Sequence, residues 1–288
     1  MSDFIGILFD GLAYGSLLFL ISVGLSVVMG LMNFVNLAHG AFAMFGGYIL
    51  TECMQKLGMP FFAALPLSFV GAALAGLVLE RLLYRRLYSA GALQQVLFSI
   101  ALVFMAMAAA TYVWGPSQQP VSLPDSLRKQ ISLFGLQVSA YRAFLIAAVA
   151  ILTVALIWLM EHTRFGSQIR AAVDNRQVAA AMGIKVNVVF SLAFALGSGL
   201  AGLGGALGVD VLGLDPAFPI KYMVYFLLVV AVGGVGSIRG PLIAALALGV
   251  VDVVGKYYVP AIGAFLIYVL MVMIIVFFPN GTKAMRHS

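Results

Sequence analysis

Three clusters interrupt an otherwise apolar sequence, and they are where chemistry is possible. The first is Glu161–Ile184, EHTRFGSQIRAAVDNRQVAAAMGI. Its pattern predicts a short helix capped by Ser167 and reaching Val173, a break at Asp174-Asn175, and a second helix from Arg176 to Met182. Gly183 supplies the left-handed tolerance expected at a helix end. Ala171, Ala172, Ala179, Ala180 and Ala181 would let another surface come close, with Arg170, Asp174 and Arg176 at the edges. Such a segment suits helix-in-groove contact with a partner protein; on the same residues it is equally a basic loop resting on lipid headgroups.

The second cluster is Gly30–Gly40, GLMNFVNLAHG. Asn33, Asn36 and Gly40 fall on one helical face, with His39 beside them. Polar side chains in apolar surroundings are costly unless they meet partners or line a wet path. The cluster is read either as pathway lining or hinge, or as hydrogen-bonding glue between helices. His39 alone is no metal-site signal, because the other two histidines, His162 and His287, lie outside the apolar core.

The third is Gly233–Gly240, GGVGSIRG, followed by Pro241. Gly233, Gly234, Gly236 and Gly240 permit a chain reversal, and a proline in the first turn starts the next helix. No Gly-Lys-Ser/Thr follows and no parallel-sheet pattern surrounds the run, which excludes a nucleotide-binding loop. Gly197–Gly208 holds six glycines, and Ser198, Gly202 and Ala206 recur at every fourth position, a spacing for close helix packing. Asp210, Asp215 and Asp252 sit near the ends of apolar runs, where a proton relay is conceivable.

The elements that must hold these clusters follow from composition. Of 288 residues, 63% are hydrophobic and 9% charged, against about 25% charge in a soluble domain. Mean hydropathy is +1.10. Apolar runs of about 20 residues match the thickness of a bilayer, so the chain reads as a polytopic membrane protein in one domain. A soluble enzyme, a nucleic-acid binder and a disulfide scaffold are excluded; the single cysteine, Cys53, has no partner within the chain. The clearest spans are Phe4–Met29, Pro60–Leu79, Leu93–Trp114, Tyr141–Met160, Val188–Val209 and Ile262–Phe278. Gly30–Thr51 is apolar but interrupted, and Tyr222–Val254 divides at the glycine run into pieces of about 11 to 14 residues. The expected fold is all-α, with about eight or nine transmembrane or re-entrant helices. The start lacks a basic region, so the first run is expected to stay as a span and not to be cleaved as a signal.

Basic residues set the expected orientation. Ten of the sixteen fall on one side: Arg81, Arg85, Arg86, Arg164, Arg170, Arg176, Lys185, Arg239, Lys283 and Arg286. The first 55 residues contain none. The N-terminus is therefore expected outside and the C-terminus in the cytoplasm. The loop 161–187 then lies inside, and the loop 115–140, with Pro116, Pro120 and Pro124, forms an external cap without catalytic character.

Three segments in order, GLMNFVNLAHGAFAMFGGY at Gly30–Tyr48, EHTRFGSQIRAAVDNRQVAAAMGI at Glu161–Ile184 and GGVGSIRGP at Gly233–Pro241, resemble the permeases of the branched-chain amino-acid ABC importer family, in its shorter, LivH-like branch. The resemblance spans nearly the whole chain. It implies a multi-pass permease of the bacterial inner membrane that does not itself hydrolyse ATP and holds no cofactor. Its implied partners are a second permease subunit (a paralogue), two ATPase subunits that bind the ATP, and an external solute-binding protein; no nucleic acid is involved. Phe165, Gly166, Arg170, Ala171, Asp174, Ala179 and Gly183 match the motif of the segment that docks onto an ATPase subunit. Asn33, Asn36, His39 and Gly40 match the signature near the translocation path, and Gly233, Gly234, Gly236 and Gly240 the third motif. The substrates implied are branched-chain or other hydrophobic amino acids, with urea, short amides and other amino acids as the alternative within the family. An ion-coupled secondary transporter using Asp210, Asp215 or Asp252 is the rival from another class. An intramembrane enzyme lacks its signature, since the sequence contains no HExxH helix and no pair of mid-span aspartates.

Overall fold

The computed structural model describes residues 2–32, 34, 36–133 and 136–277. Helix α1 runs Ser2–Met32, α2 His39–Gln55, α3 Phe61–Leu82 and α4 Ala92–Trp114, with a 3-10 turn at Tyr84–Leu87 between the last two. A one-turn helix, α5 (Asp125–Arg128), and an antiparallel hairpin, β1 (Gln130–Leu133) with β2 (Leu136–Ser139), follow. Then come α6 (Ala140–His162), α7 (Arg164–Asp174), α8 (Arg176–Ala181), α9 (Val186–Leu212), α10 (Phe218–Gly233), α11 (Arg239–Tyr258) and α12 (Pro260–Phe277).

Among the described residues six helices, α1, α3, α4, α6, α9 and α11, are long and apolar enough to cross a membrane. The expected eight or nine segments counted re-entrant pieces as well, and these six helices do not fix that count. Helix α10, of 16 residues, is a shorter apolar helix, and α2 has 17 residues. The two pieces around the glycine run exceed the expected 11 to 14 residues. Pro219 opens α10 in its first turn, a position that needs no amide hydrogen. At the far end, α11 continues through Lys256 to Tyr258 and stops where Pro260 disfavours helical geometry at Val259. The expected external cap contains the hairpin, so the fold is all-α apart from one pair of four-residue strands.

Burial separates the helices into two kinds. In the most apolar stretch of α1, 89% of residues are buried, and in that of α9 67%, against 17% for α4 and 22% for α6. Helix α9 packs on α1, α2 and α3, and α1 packs also on α11 and α10. A helix apolar on every side belongs inside such a bundle. The outer helices turn Leu74, Phe104, Ile151 and Val154 outward, a surface that suits hydrocarbon.

Lipid tails are as apolar as leucine, so association of these helices depends on close van der Waals fit and hydrogen bonds. The fit is made by small residues. A side chain at Gly46 would fall on the backbone of Gly202, one at Gly205 on the carbonyl of Ala43, and one at Gly24 on Gly197. Within the four-residue spacing of α9, Ser198 lies against Gly76 of α3, and Gly202 against Ala72 of α3 and Gly46 of α2.

Gly205→Ala places a methyl group on the Ala43 carbonyl and is expected to cost about 1–3 kcal/mol or more. Its melting temperature in detergent, followed by fluorescence-detected gel filtration, should fall by several degrees. Gly6→Ala, with open space around it, should leave the melting temperature unchanged or raise it.

Candidate functional site

Two breaks in the helical ladder meet on α1. The first lies between α1 and α2. The chain is not helical at Phe34 and Asn36 and turns through Leu37-Ala38 before α2 starts at His39. This corrects the expectation that Asn33, Asn36 and Gly40 share one helical face; Asn33 itself lies outside the described residues. The reason is local: Asn36 Oδ1 accepts the amide of Ala38 at 3.1 Å, a side-chain turn that competes with helix. The same oxygen accepts the hydroxyl of Tyr84 at 2.9 Å. Asn36 Nδ2 is buried with no hydrogen-bond partner among the described residues. His39 is buried, its Nε2 2.9 Å from the carbonyl of Ile21 on α1. Gly40 lies against Pro219 at the start of α10.

The second break is the glycine run between α10 and α11. Gly234 and Gly236 adopt φ of 88° and 77°, which side-chain-bearing residues rarely do. A Cβ at Gly240 would strike the carbonyl of Gly233, and one at Gly233 would strike Pro241. Ser26 of α1 clasps the run: its hydroxyl lies 3.0 Å from the carbonyls of Gly234 and of Ser237, and its own carbonyl accepts the amide of Gly236 at 2.9 Å. Gly30, at the last turn of α1, leaves room for Gly236. The second break is thus bonded to Ser26 of α1, and the first begins where α1 stops; irregular backbone within an apolar bundle requires such partners.

The predicted helix pair is present as α7 and α8. Its first cap is Thr163, whose hydroxyl accepts the amide of Gly166 at 3.2 Å, and not Ser167, which is one turn inside α7. Asn175 is the break and caps α8, accepting the amides of Gln177 and Val178, each at 3.0 Å. Each such cap contributes about 1 kcal/mol. Gly183 has φ of 85° and ends the pair.

The seven candidate contact residues divide. Gly166 and Ala179 are buried; a Cβ at Gly166 would overlap the backbone of Met160. Phe165 and Ala171 are half-buried, while Arg170, Asp174 and Gly183 are exposed. The guanidinium of Arg170 donates back to the carbonyl of Met160 at the end of α6. Exposed beside these are Val173, Val178 and Met182. Arg239, at the start of α11, pairs with Glu161 at 2.9 Å and joins the glycine run to the α6 end of the segment. Both partners are largely exposed, so the pair is worth at most about 1 kcal/mol.

Of the three aspartates, Asp215 pairs with Lys221 and Asp252 with Lys256, the latter at 2.6 Å. Asp210 is exposed beside a polar cavity of about 460 Å³ that also borders Asp10, Arg142 and the hairpin. A separate apolar cavity of about 310 Å³ lies between α2, α3 and α4, bordered by Phe42, Tyr48, Leu79, Leu102 and Trp114. Ser26, Tyr84 and Thr163 escaped the sequence reading. Each is a lone hydroxyl in or beside an apolar run, and its only signal is that it has to find a partner there.

Known proteins match this chain over nearly all of its length. The model of the family described as branched-chain amino acid transport system, permease component, matches residues 7–276. The chain is 25% identical to the high-affinity branched-chain amino acid transport system permease protein BraD of Pseudomonas aeruginosa, over 95% of this chain and 94% of that protein. It is 23% identical to LivH of Escherichia coli K12, over 95% and 93%. It is 27% identical to the probable branched-chain amino acid transport permease LivH of Methanocaldococcus jannaschii, over 94% and 87%. No solved structure matches it. With a family model covering nearly all of its length, the chain belongs to the family of permease components of branched-chain amino acid transport systems.

Proposed function

We propose that this permease forms half of the translocation path of an ATP-driven importer for branched-chain amino acids, and that α7 and α8 dock onto an ATPase subunit. The observation that carries the docking is the outer side of that helix pair. Val173, Val178 and Met182 stand 44%, 57% and 79% exposed among Arg170, Asp174 and Arg176. The pair lies beyond the spanning helices, where apolar exposure of this kind fits a protein groove better than water. Gly166 and Ala179 serve the segment by packing it against its neighbours, and Arg170, Asp174 and Gly183 remain as contact candidates.

The partners are a second permease, two ATPase subunits and an external solute-binding protein. The helix-pair end faces the cytoplasm and the hairpin end the outside, in the inner membrane. ATP is bound and hydrolysed by the partner subunits, whose closure displaces α7–α8. The two breaks on α1 are the places where the bundle yields, because their backbone is held by a few side-chain bonds and not by a continuous ladder. The apolar cavity between α2, α3 and α4 and the naming of the relatives support leucine, isoleucine and valine as the substrates.

Purification of the tagged protein in mild detergent, followed by mass spectrometry, should return ATPase subunits and a second permease; a chain that comes down alone would sink the reading. Asp174→Arg is expected to abolish uptake while membrane insertion, read by reporter fusions, is unchanged. Asn175→Ala removes a cap of about 1 kcal/mol, so affinity for the ATPase subunits should drop about fivefold. Limited proteolysis should then cut the chain faster between residues 174 and 183.

A further inference from the structure

The last turn of α3 carries an acidic residue, Glu80, that is completely buried. Among the described residues no lysine, arginine or histidine pairs with it. Its two oxygens are taken by hydroxyls instead: Tyr88 donates to Oε1 and Ser191 to Oε2, each at 2.5 Å. An acidic group held this way is expensive to bury, and an apolar residue of similar volume would avoid the cost. Retention of an ionisable group at such depth points to function.

The two donors come from separate elements. Ser191 is on α9, shortly after the helix pair, and Tyr88 is in the turn between α3 and α4. Burial, and then the bond to Glu80, keep the Tyr88 phenol far above its ordinary pKa, so it stays a donor. From Tyr88, contacts run in two directions. Its ring meets Phe190 edge-on at 6.0 Å, and Arg176, the first residue of α8, lies 5.2 Å over that second ring. On the other side it meets Phe34 at 6.5 Å; Phe34 meets Tyr84 at 5.3 Å, and Tyr84 holds Asn36. The chain of contacts thus runs from α8 to the break between α1 and α2, with Tyr88 as its middle link.

We propose that Glu80 is a positioning residue for transport. It clamps Tyr88 to Ser191, so that displacement of α8 reaches the Asn36 break and is not absorbed by movement of the Tyr88 ring. The inference rests on the reading that α7–α8 docks onto an ATPase subunit. Continuity of contacts alone does not establish coupling, so the test is a double-mutant cycle on the assembled importer.

Tyr88→Phe, Ser191→Ala and the double variant each remove oxygens only. They would be reconstituted in proteoliposomes with the ATPase subunits and the binding protein, using radiolabelled leucine. Co-purifying subunits, ATP hydrolysis and leucine taken up per ATP are read separately. The expected result is intact assembly, with uptake per ATP down about tenfold in each single variant. The double variant should be no worse than the worse single, since both release the same side chain. Ser191→Thr, which keeps a hydroxyl, should retain uptake, and so should Thr153→Ala, which removes a buried hydroxyl bonded within α6 to the Val149 carbonyl. Uptake per ATP near the wild-type value in both single variants overturns the proposal. So do losses that multiply in the double variant, or losses that follow only failed assembly. Wild-type protein that recruits no ATPase, or takes up no leucine, overturns the underlying reading and this proposal with it.

Discussion

Everything in this bundle depends on how closely the backbones of α1, α2 and α9 approach. In water, a helix pair gains from hiding apolar surface; in a bilayer that gain is absent, and contact distance decides the energy. The Gly46–Gly202 and Gly24–Gly197 approaches bring α2 and α1 against α9 with no side chain between them. At that separation His39 of α2 reaches the carbonyl of Ile21 on α1. With a methyl group interposed, the helices would part and these polar groups would be left buried and unpaired, at about 1–3 kcal/mol for each group.

The second constraint is the accounting of backbone hydrogen bonds. A chain that leaves the helix inside an apolar bundle must satisfy its freed amides and carbonyls locally. Gly234, Gly236 and Ser237 are served by Ser26 on α1. Asn36 serves Ala38 within its own turn and Tyr84 beside it. These breaks are weak points by construction: a handful of side chains holds each, where a helix has a bond at every residue. One break follows the end of α1 and the other is held by its Ser26, so a shift of this deeply buried helix acts on both.

Much of this was legible in the sequence. Length and apolarity locate the long helices, because a membrane span is a one-dimensional signal. Proline and glycine gave the start of α11 at Gly240-Pro241 and the end of the helix pair at Gly183, since their effects on the chain are local. The expectation failed where an outcome depends on partners distant in sequence. Periodicity put Asn33, Asn36 and Gly40 on one face, yet Asn36 turns the chain, which no spacing rule shows. Ser167 looked like a cap, but Thr163, four residues earlier, stands at the true boundary. Gly166 and Ala179 match a docking motif and are buried beneath the surface they were expected to form. Glu80, beside Arg81 just past a predicted span, carries no signal in the sequence; only the fold reveals its two hydroxyl partners.

The short helices have a consequence for the membrane itself. At 1.5 Å per residue, α2 and α10 measure about 25 Å, whereas the hydrocarbon layer is about 30 Å thick. Both pack among longer neighbours, so polar backbone at their ends would stand below the level of the headgroups. Lipid thinner than average relieves that mismatch and thicker lipid worsens it, at a fraction of a kcal/mol per ångström. The composition of the surrounding membrane thereby becomes a quantity to which the two breaks are mechanically exposed.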